Sequence, residues 1–362
     1  MKFKHNPTLD NYIDSLIETN YLNMSLSDMF SEIIGNRSIT NKKEIETLKA
    51  KFKQSDINLL GNKYFEYWEL DDESEEDNDI FNNIIIPSIK ECDLNKYLNN
   101  PYYKRIKLDK IRDGDYSLEM DHYEPYELFP YQDMGYEKDS FLELNSFSFF
   151  TERFDFLSIN HKKVTWMSVT PNEIETMEKA VSDAKGKVIV YGLGLGYYPY
   201  MISLKDDVKD ITIIENDKNV INLFNKYILP LFEHKEKIKV IECDAFDYMS
   251  NHDDFDYAFI DLWHDPYDGI ELFLRSKKLE KPHKQYFYWL ESSFYILLRR
   301  CFISFIEEQL ANVESDNYHK SSSVTDDIIN TFYSKTKNLV IESASQLQDL
   351  LSDSSLLDLL VK

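Results

Sequence analysis

Four short apolar runs follow one another in the middle of the chain. They are KVIVYG, DITIIEN, IKVIEC and FDYAFID, at 187–192, 210–216, 238–243 and 255–261. A helix-type pattern, DKNVINLFNKYIL, lies between the second run and the third. Such short apolar runs are typical of strands buried on both faces. Strands that alternate with helices predict an α/β fold with a doubly wound, mostly parallel, Rossmann-like sheet.

Three glycines end the first apolar run, within VIVYGLGLGYYPY. In a doubly wound sheet this strand-to-helix turn is the usual ligand cradle, and its amides can receive a carboxylate or a phosphate. No Gly-Lys-Ser/Thr follows, which excludes a Walker loop. The spacing of Gly192, Gly194 and Gly196 is G-x-G-x-G, with Tyr197 at the third glycine position of the dinucleotide fingerprint. NAD is therefore disfavoured.

Carboxylates end each of the next three strands. Glu215 comes 19 residues after Gly196, where an acid can accept both hydroxyls of a ribose. Asp244 ends the third strand, where it can accept the amine of an adenine, and Asp261 ends the fourth. The alternatives are structural: a strand end for Glu215 and a helix cap for Asp244.

These motifs, in this order, resemble the class I S-adenosylmethionine-dependent methyltransferase superfamily. The similarity is greatest to its spermidine-synthase-like branch, which shares E-x-D-x-x-V-I after the second strand and a D-A/G-F turn after the third. It covers roughly residues 170 to 275. The resemblance implies S-adenosyl-L-methionine as the cofactor, with the methionine part held by the glycines, the ribose by Glu215, and the adenine by two further residues. The implied contacts are Gly192, Gly194, Gly196, Glu215, Asp244 and Ala245.

The chain also departs from true spermidine synthases. It has GLGLG in place of G-G-G-D-G, and DLWHDPYDG with one extra residue between Asp261 and Asp265. The aminopropyl-transfer pattern is thus only partly present. The sequence has no glycine after Gly269, so the fifth strand cannot be traced, and NLVIES at 338–343 is one candidate.

The loop after the fourth strand offers groups that could remove a proton from an acceptor. Asp261, His264 and Asp265 are the candidate catalytic residues. A solvated surface position is the alternative for His264, and a turn start with Pro266 is the alternative for Asp265.

Three functions are compatible with this pattern. The preferred one is an S-adenosylmethionine-dependent methyltransferase that acts on a small molecule or a protein acceptor by in-line methyl transfer. The runner-up is a spermidine-synthase-like aminopropyltransferase that uses decarboxylated S-adenosylmethionine. The third is a non-catalytic binding or assembly protein on a methyltransferase-like scaffold.

The charge balance restricts the partners. The chain has 41 basic and 65 acidic residues and a formal charge of -24, which opposes binding to a nucleic-acid backbone and favours a cationic or neutral acceptor. The three cysteines form no C-x-x-C pair, so neither a disulfide framework nor a metal site is expected. The N-terminus lacks the apolar core of a signal peptide, and no run reads as a membrane span. We therefore expect a cytoplasmic protein.

The pattern divides the chain into four parts. Residues 1–98 predict a helical N-terminal region, 99–166 a small β-rich segment, 167–312 the Rossmann-like domain that binds S-adenosylmethionine, and 313–362 a partly helical tail. The acidic run at 71–79 is interpreted as a solvated loop.

The predicted Rossmann-like domain contains two further helix patterns. A helix over 170–185 begins with Thr170, Pro171 and Glu173, which predict a capping box. A helix over 285–310 carries two apolar stripes. The second stripe suits either packing within the chain or a homodimer interface.

Overall fold

The computed structural model describes residues 1–311 and 323–362. The strands are β1 (Lys2–Phe3), β2 (Ile89–Glu91), β3 (Ile111–Asp113), β4 (Tyr116–Tyr123), β5 (Phe129–Pro130), β6 (Gly135–Tyr136), β7 (Glu143–Leu144), β8 (Phe147–Phe149), β9 (Phe154–His161), β10 (Val164–Ser168), β11 (Gly186–Tyr191), β12 (Val208–Glu215), β13 (Ile238–Glu242), β14 (Tyr257–Ile260), β15 (Gln285–Tyr288) and β16 (Val340–Ile341).

The α-helices are α1 (Pro7–Ile33), α2 (Lys42–Phe52), α3 (Asp56–Tyr67), α4 (Glu75–Ile80), α5 (Ile86–Ser88), α6 (Leu94–Leu98), α7 (Pro101–Arg105), α8 (Pro171–Asp183), α9 (Tyr197–Ser203), α10 (Lys218–Leu223), α11 (Ala245–Asn251), α12 (Pro266–Lys278), α13 (Glu291–Leu310), α14 (Val324–Thr336), α15 (Ala344–Leu350) and α16 (Asp353–Val361). Phe81–Ile85 and Phe224–Ile228 form π-helical turns, and Leu229–Leu231 and Lys235–Lys237 form 3-10 turns.

A five-stranded parallel sheet organises the second half of the chain. Its strand order is β13-β12-β11-β14-β15, and on β11 Val188 pairs with Ile211 of β12 and with Tyr257 of β14. Every residue of β14 is buried, as expected for a strand covered on both faces. The order reverses beside β11, as in Rossmann-like folds. The predicted fold class is confirmed.

The fifth strand is β15, which sequence analysis assigned to a helix. It runs parallel to β14, with Phe287 paired to Phe259, and α13 begins only at Glu291. The turn between them uses Leu290 in a left-handed conformation (φ 56°), which is uncommon for a residue other than glycine. The prediction of a helix from residue 285 is wrong because the aromatic residues of the strand continue the apolar spacing of the helix.

The predictions for two short segments, 338–343 and 71–79, are also corrected by the structure. The candidate strand at 338–343 forms β16, which pairs with β1 and does not join the parallel sheet. The acidic run at 71–79 is partly helical, because Ser74 caps α4 by accepting a hydrogen bond from the Asp77 N–H.

The first half of the chain builds a cover over the carboxyl edge of the parallel sheet. Strands β10, β9, β4 and β3 form an antiparallel sheet in that order. The Tyr102 hydroxyl, on α7, donates a hydrogen bond of 2.7 Å to the carbonyl oxygen of Leu195 in the glycine loop. A separate apolar cluster, which includes Phe30, Tyr64 and Phe149, lies farther towards the N-terminal helices.

Helix α13 is buried on both of its apolar faces. Phe302 packs edge-on against Phe332 of α14, with ring centroids 4.8 Å apart, and Ile306 is 1% exposed. The same chain therefore covers the face considered for a dimer, and a homodimer stays a prediction. The tail contributes α14, α15 and α16, while residues 313–322 of it lie outside the described residues.

Among the helices of 1–311 and 323–362, none combines the length and the apolar character needed to cross a membrane.

Folding should not tolerate a side chain at position 192. A Cβ there would lie 1.9 Å from the backbone oxygen of Asp261 at a φ of +94°. We expect Gly192→Ala to lower the free energy of unfolding by more than about 2 kcal/mol, measured by urea denaturation. Gly114→Ala is the control, because Gly114 has a φ of +62° and nothing within 4 Å. It should lose only about 1 kcal/mol. Equal losses would contradict the steric argument.

Candidate functional site

A cavity of about 590 Å³ opens at the carboxyl edge of the parallel sheet. The loops after β11, β12, β13 and β14 form one side, and β10 with the first turn of α8 forms the other. Eight of the nine residues predicted for the site line this cavity, and Asp265 is the exception. The eight are Gly192, Gly194, Gly196, Glu215, Asp244, Ala245, Asp261 and His264.

The three glycines meet different demands. A Cβ on Gly196 would lie 2.5 Å from the Phe224 ring, and one on Gly192 would collide with the Asp261 backbone, so close packing explains both. Gly194 also has a positive φ, but an added Cβ would meet nothing nearer than the Met167 sulfur at 4.0 Å. Gly194 therefore leaves open space beside the cavity.

The glycine loop presents free backbone donors. The N–H of Gly192 is bonded to the carbonyl oxygen of Ile214. Within the described chain, no acceptor is found for the N–H groups of Gly194 and Leu195. Two unpaired amides beside a cavity can hold a carboxylate.

Glu215 is held at the end of β12 by backbone donors. Its Oε1 accepts from the N–H groups of Asn216 and Asp217, both at 2.8 Å, and its Oε2 accepts from Leu193 N–H at 3.2 Å. A carboxylate has about four lone-pair sites, so it retains capacity for further donors such as ribose hydroxyls.

Asp244 divides its two oxygens between two tasks. Its Oδ1 caps α11 by accepting from the N–H groups of Phe246 and Asp247 at 2.9 and 3.0 Å. Its Oδ2 has no protein donor in 1–311 or 323–362. The cap that sequence analysis gave as the alternative role is present, and it leaves one oxygen for a ligand.

Two acids of the cavity lining, Glu173 and Asp261, lie near each other. Burial, followed by the charge of Glu215, raises the pKa of Asp261 to about 7. Burial, followed by the charge of Asp261, raises the pKa of Glu173 well above its ordinary value. No salt bridge to either acid occurs in the described part of the chain. Both acids thus lack a cation from the protein.

His264 and Asp265 occupy different environments after β14. The His264 Nδ1 lies 2.9 Å from Asp268 Oδ2, and the side chain is exposed at the rim of the cavity. The Asp265 Oδ1 accepts from the N–H groups of Tyr267 and Asp268 at 2.7 and 3.0 Å, in a capping box that begins α12. Asp265 thus serves as a helix cap here, and its predicted catalytic role stays a prediction.

Sequence reasoning missed Glu173 and Trp289. Glu173 was assigned to a capping box, and its N–H does donate to Thr170 Oγ1 at 3.5 Å. Its carboxylate lines the cavity, and no return bond to the Thr170 N–H is found in the described residues. Trp289 also lines the cavity, and its Nε1 donates to Thr176 Oγ1 at 2.8 Å. It was hidden in the segment wrongly predicted as helix.

Comparison with known proteins gives only distant similarities. No protein-family model matches the chain, and no curated protein matches it either. Among solved structures, spermidine synthase from Thermotoga maritima is 18% identical over 42% of this chain and 59% of its own, with a TM-score of 0.30. A spermidine synthase in complex with the transition state analogue AdoDATO is 17% identical over 48% and 70%, also with a TM-score of 0.30.

The chain therefore spans less than two thirds of the length of the Thermotoga structure. At these TM-scores neither match carries a functional argument. The strand order and the position of the cavity define the class directly: an α/β protein with a Rossmann-like parallel sheet and a ligand cavity at its switch point.

The raised pKa of Asp261 makes its effect on stability depend on pH. An acid with a raised pKa holds its proton more tightly in the folded chain, so its contribution to stability falls as pH rises from about 4 to about 7. Asp261→Asn removes this titration. Relative to the native chain, the variant should gain about 2 to 4 kcal/mol of unfolding free energy between pH 4 and pH 8. Parallel urea-denaturation profiles across this range would refute the assignment.

Asp244→Ser should separate the two tasks of Asp244. Serine caps helices about as well as aspartate, so stability should change by less than about 0.5 kcal/mol. The cavity loses its free carboxylate oxygen, and calorimetry should show S-adenosylmethionine bound about 10 to 100 times more weakly. Asp265→Ser is the matched control, because it makes the same change at a cap outside the cavity. Equal weakening in both variants would contradict this prediction.

Proposed function

We propose that this chain is an S-adenosylmethionine-dependent transferase that methylates an amine of a small molecule or a protein side chain. The observation that carries the proposal is Asp261. It is a carboxylate with a pKa of about 7, and it faces the same cavity as the residues suited to the cofactor.

The lining fits the parts of the cofactor. The free amides of Gly194 and Leu195 suit the methionine carboxylate, Glu215 suits the ribose hydroxyls, and Asp244 Oδ2 suits the adenine amine. Bound there, the sulfonium would supply an electrophilic methyl carbon. The open space beside Gly194 lets a ligand approach the loop backbone closely.

The acids bind and deprotonate the acceptor. An amine arrives as an ammonium ion, and the Asp261 carboxylate attracts it because no cation of the described residues pairs with that carboxylate. A group with a pKa near 7 can accept a proton at neutral pH, so Asp261 takes the proton that the nitrogen must lose before it attacks. The walls then hold the acceptor in line, which contributes roughly 7 to 11 kcal/mol in well-oriented reactions.

One observation favours the second candidate, aminopropyl transfer. The two basic residues of the cavity wall, Arg275 and His264, are both engaged. The Arg275 guanidinium lies 3.8 Å over the ring of Phe246, and His264 contacts Asp268. The acids Glu173 and Asp261 thus face no free basic side chain of the lining, which suits a donor that has lost its carboxylate and keeps its ammonium group.

The donor that the protein uses, S-adenosylmethionine or its decarboxylated form, distinguishes methyl transfer from aminopropyl transfer. We expect calorimetry to show micromolar binding of S-adenosylmethionine, and an amine panel to yield S-adenosylhomocysteine. The panel includes tyramine and 1,4-diaminobutane. Asp261→Asn should lower kcat by about 10² to 10⁴ with donor binding retained.

Three other outcomes are informative. Release of methylthioadenosine from the decarboxylated donor would favour aminopropyl transfer. An unchanged kcat in Asp261→Asn would remove the base assignment. Binding of neither donor would leave the scaffold hypothesis.

A further inference from the structure

A second cavity, of about 380 Å³, adjoins the first. Trp289 and His264 belong to both linings, so these two side chains form the boundary between the cavities. The first turn of α8 also faces both, because Asn172 lines the second cavity while its neighbour Glu173 lines the first. A molecule in the second cavity therefore lies next to the proposed methyl donor.

The walls of the second cavity are mostly apolar. They come from α1, from α13, and from loops on either side of β6 and β7. The apolar lining includes Phe30, Met134, Phe147, Leu290, Ile296 and Leu297. Such walls favour an apolar body in the ligand.

The full charges in this lining already have partners. The Arg300 Nε donates to Glu143 Oε1 at 2.6 Å. The Asp133 Oδ2 accepts from Ser292 N–H at 3.0 Å, and its Oδ1 accepts from the Ser293 hydroxyl. The Glu143 carboxylate thus has a cation for its partner, whereas the Asp133 carboxylate is bonded to neutral donors.

One polar group in the lining does need a partner. The Ser146 hydroxyl is buried and has no hydrogen-bond partner in the described chain, although the Ser146 carbonyl accepts from Tyr131 N–H. Buried hydroxyls are nearly always hydrogen-bonded, so this hydroxyl would gain its missing bond from a ligand group that reaches it.

We propose that the second cavity binds the acceptor, and that the acceptor is an amine with an aromatic-sized apolar body and one hydrogen-bonding group remote from the nitrogen. This rests on the proposed function. The body fills the apolar chamber, the remote group bonds to Ser146, and the nitrogen reaches Asp261 past Trp289. The cavity volume corresponds to roughly a dozen water molecules, which suits such a ligand.

The test compares three amines on the full chain saturated with S-adenosylhomocysteine. Tyramine has the apolar body and the remote hydroxyl, 2-phenylethylamine lacks the hydroxyl, and 1,4-diaminobutane lacks the body. Saturation-transfer NMR should show tyramine binding at least about tenfold tighter than 1,4-diaminobutane. Ser146→Ala should weaken tyramine about fivefold and leave 2-phenylethylamine unchanged.

Leu297→Trp should fill the cavity and weaken tyramine at least about tenfold. Leu339→Trp makes the same change at a position 36% exposed and outside both cavities, and it should have no effect. Unchanged affinity for S-adenosylhomocysteine in each variant shows that the chain is folded. Should 1,4-diaminobutane bind as tightly as tyramine, or Leu297→Trp leave tyramine binding intact, the proposal is overturned.

The same binding measurements distinguish failure of the proposed function from failure of the acceptor assignment. Wild-type protein that binds tyramine but no adenosyl compound would refute both the transferase and the acceptor assignment. Wild-type protein that binds S-adenosylhomocysteine but not tyramine would refute only the acceptor assignment.

Discussion

The contact between Gly192 and the backbone of Asp261 sets the geometry of the whole site. At the ends of three adjacent strands, Gly192 N–H bonds to Ile214 and Asp261 N–H bonds to Tyr191, each at 2.9 Å. These bonds hold β11, β12 and β14 in register up to their last residues. Since there is no room for a side chain at Gly192, the fourth strand ends directly against the glycine loop. The acids that follow the strands then meet around one cavity.

The acids at this cavity work against stability. Glu173 and Asp261 are half-buried near each other, and Asp261 is also near Glu215. No cation of the described residues pairs with Glu173 or Asp261, and desolvation raises the pKa of both. Folding alone would favour an arginine or lysine beside them. Glu175, two residues further along α8, does have such a partner, because it pairs with Lys96. Unpaired acids confined to the cavity are therefore better explained by a ligand with positive charge than by the fold.

The sequence predicted the four strands β11, β12, β13 and β14 because each is a short apolar run followed by a glycine or an acidic residue. It did not predict β15, since a strand of aromatic residues joined to an apolar helix leaves no break in the pattern, and the turn between them is made by Leu290 without a glycine. The place of Glu173 in the cavity was not predicted, because its position three residues after Thr170 indicated a helix cap. The second cavity could not be found from sequence, because its walls come from elements far apart in the chain.

The boundary residue Trp289 connects these observations. It follows the unpredicted strand, its Nε1 is fixed by Thr176, and its carbonyl accepts from Trp263 Nε1 at 3.1 Å. A ring held at both its backbone and its indole cannot turn easily, so it forms a fixed wall between an acidic cavity and an apolar one. In the proposed function the two cavities divide recognition of an acceptor: Asp261 attracts its charge on one side of Trp289, and the apolar walls select its body on the other. Trp289 directly follows β15 and bonds to α8. The parallel sheet that positions the residues proposed to bind the methyl donor therefore also positions this wall, and with it the side from which the acceptor would approach.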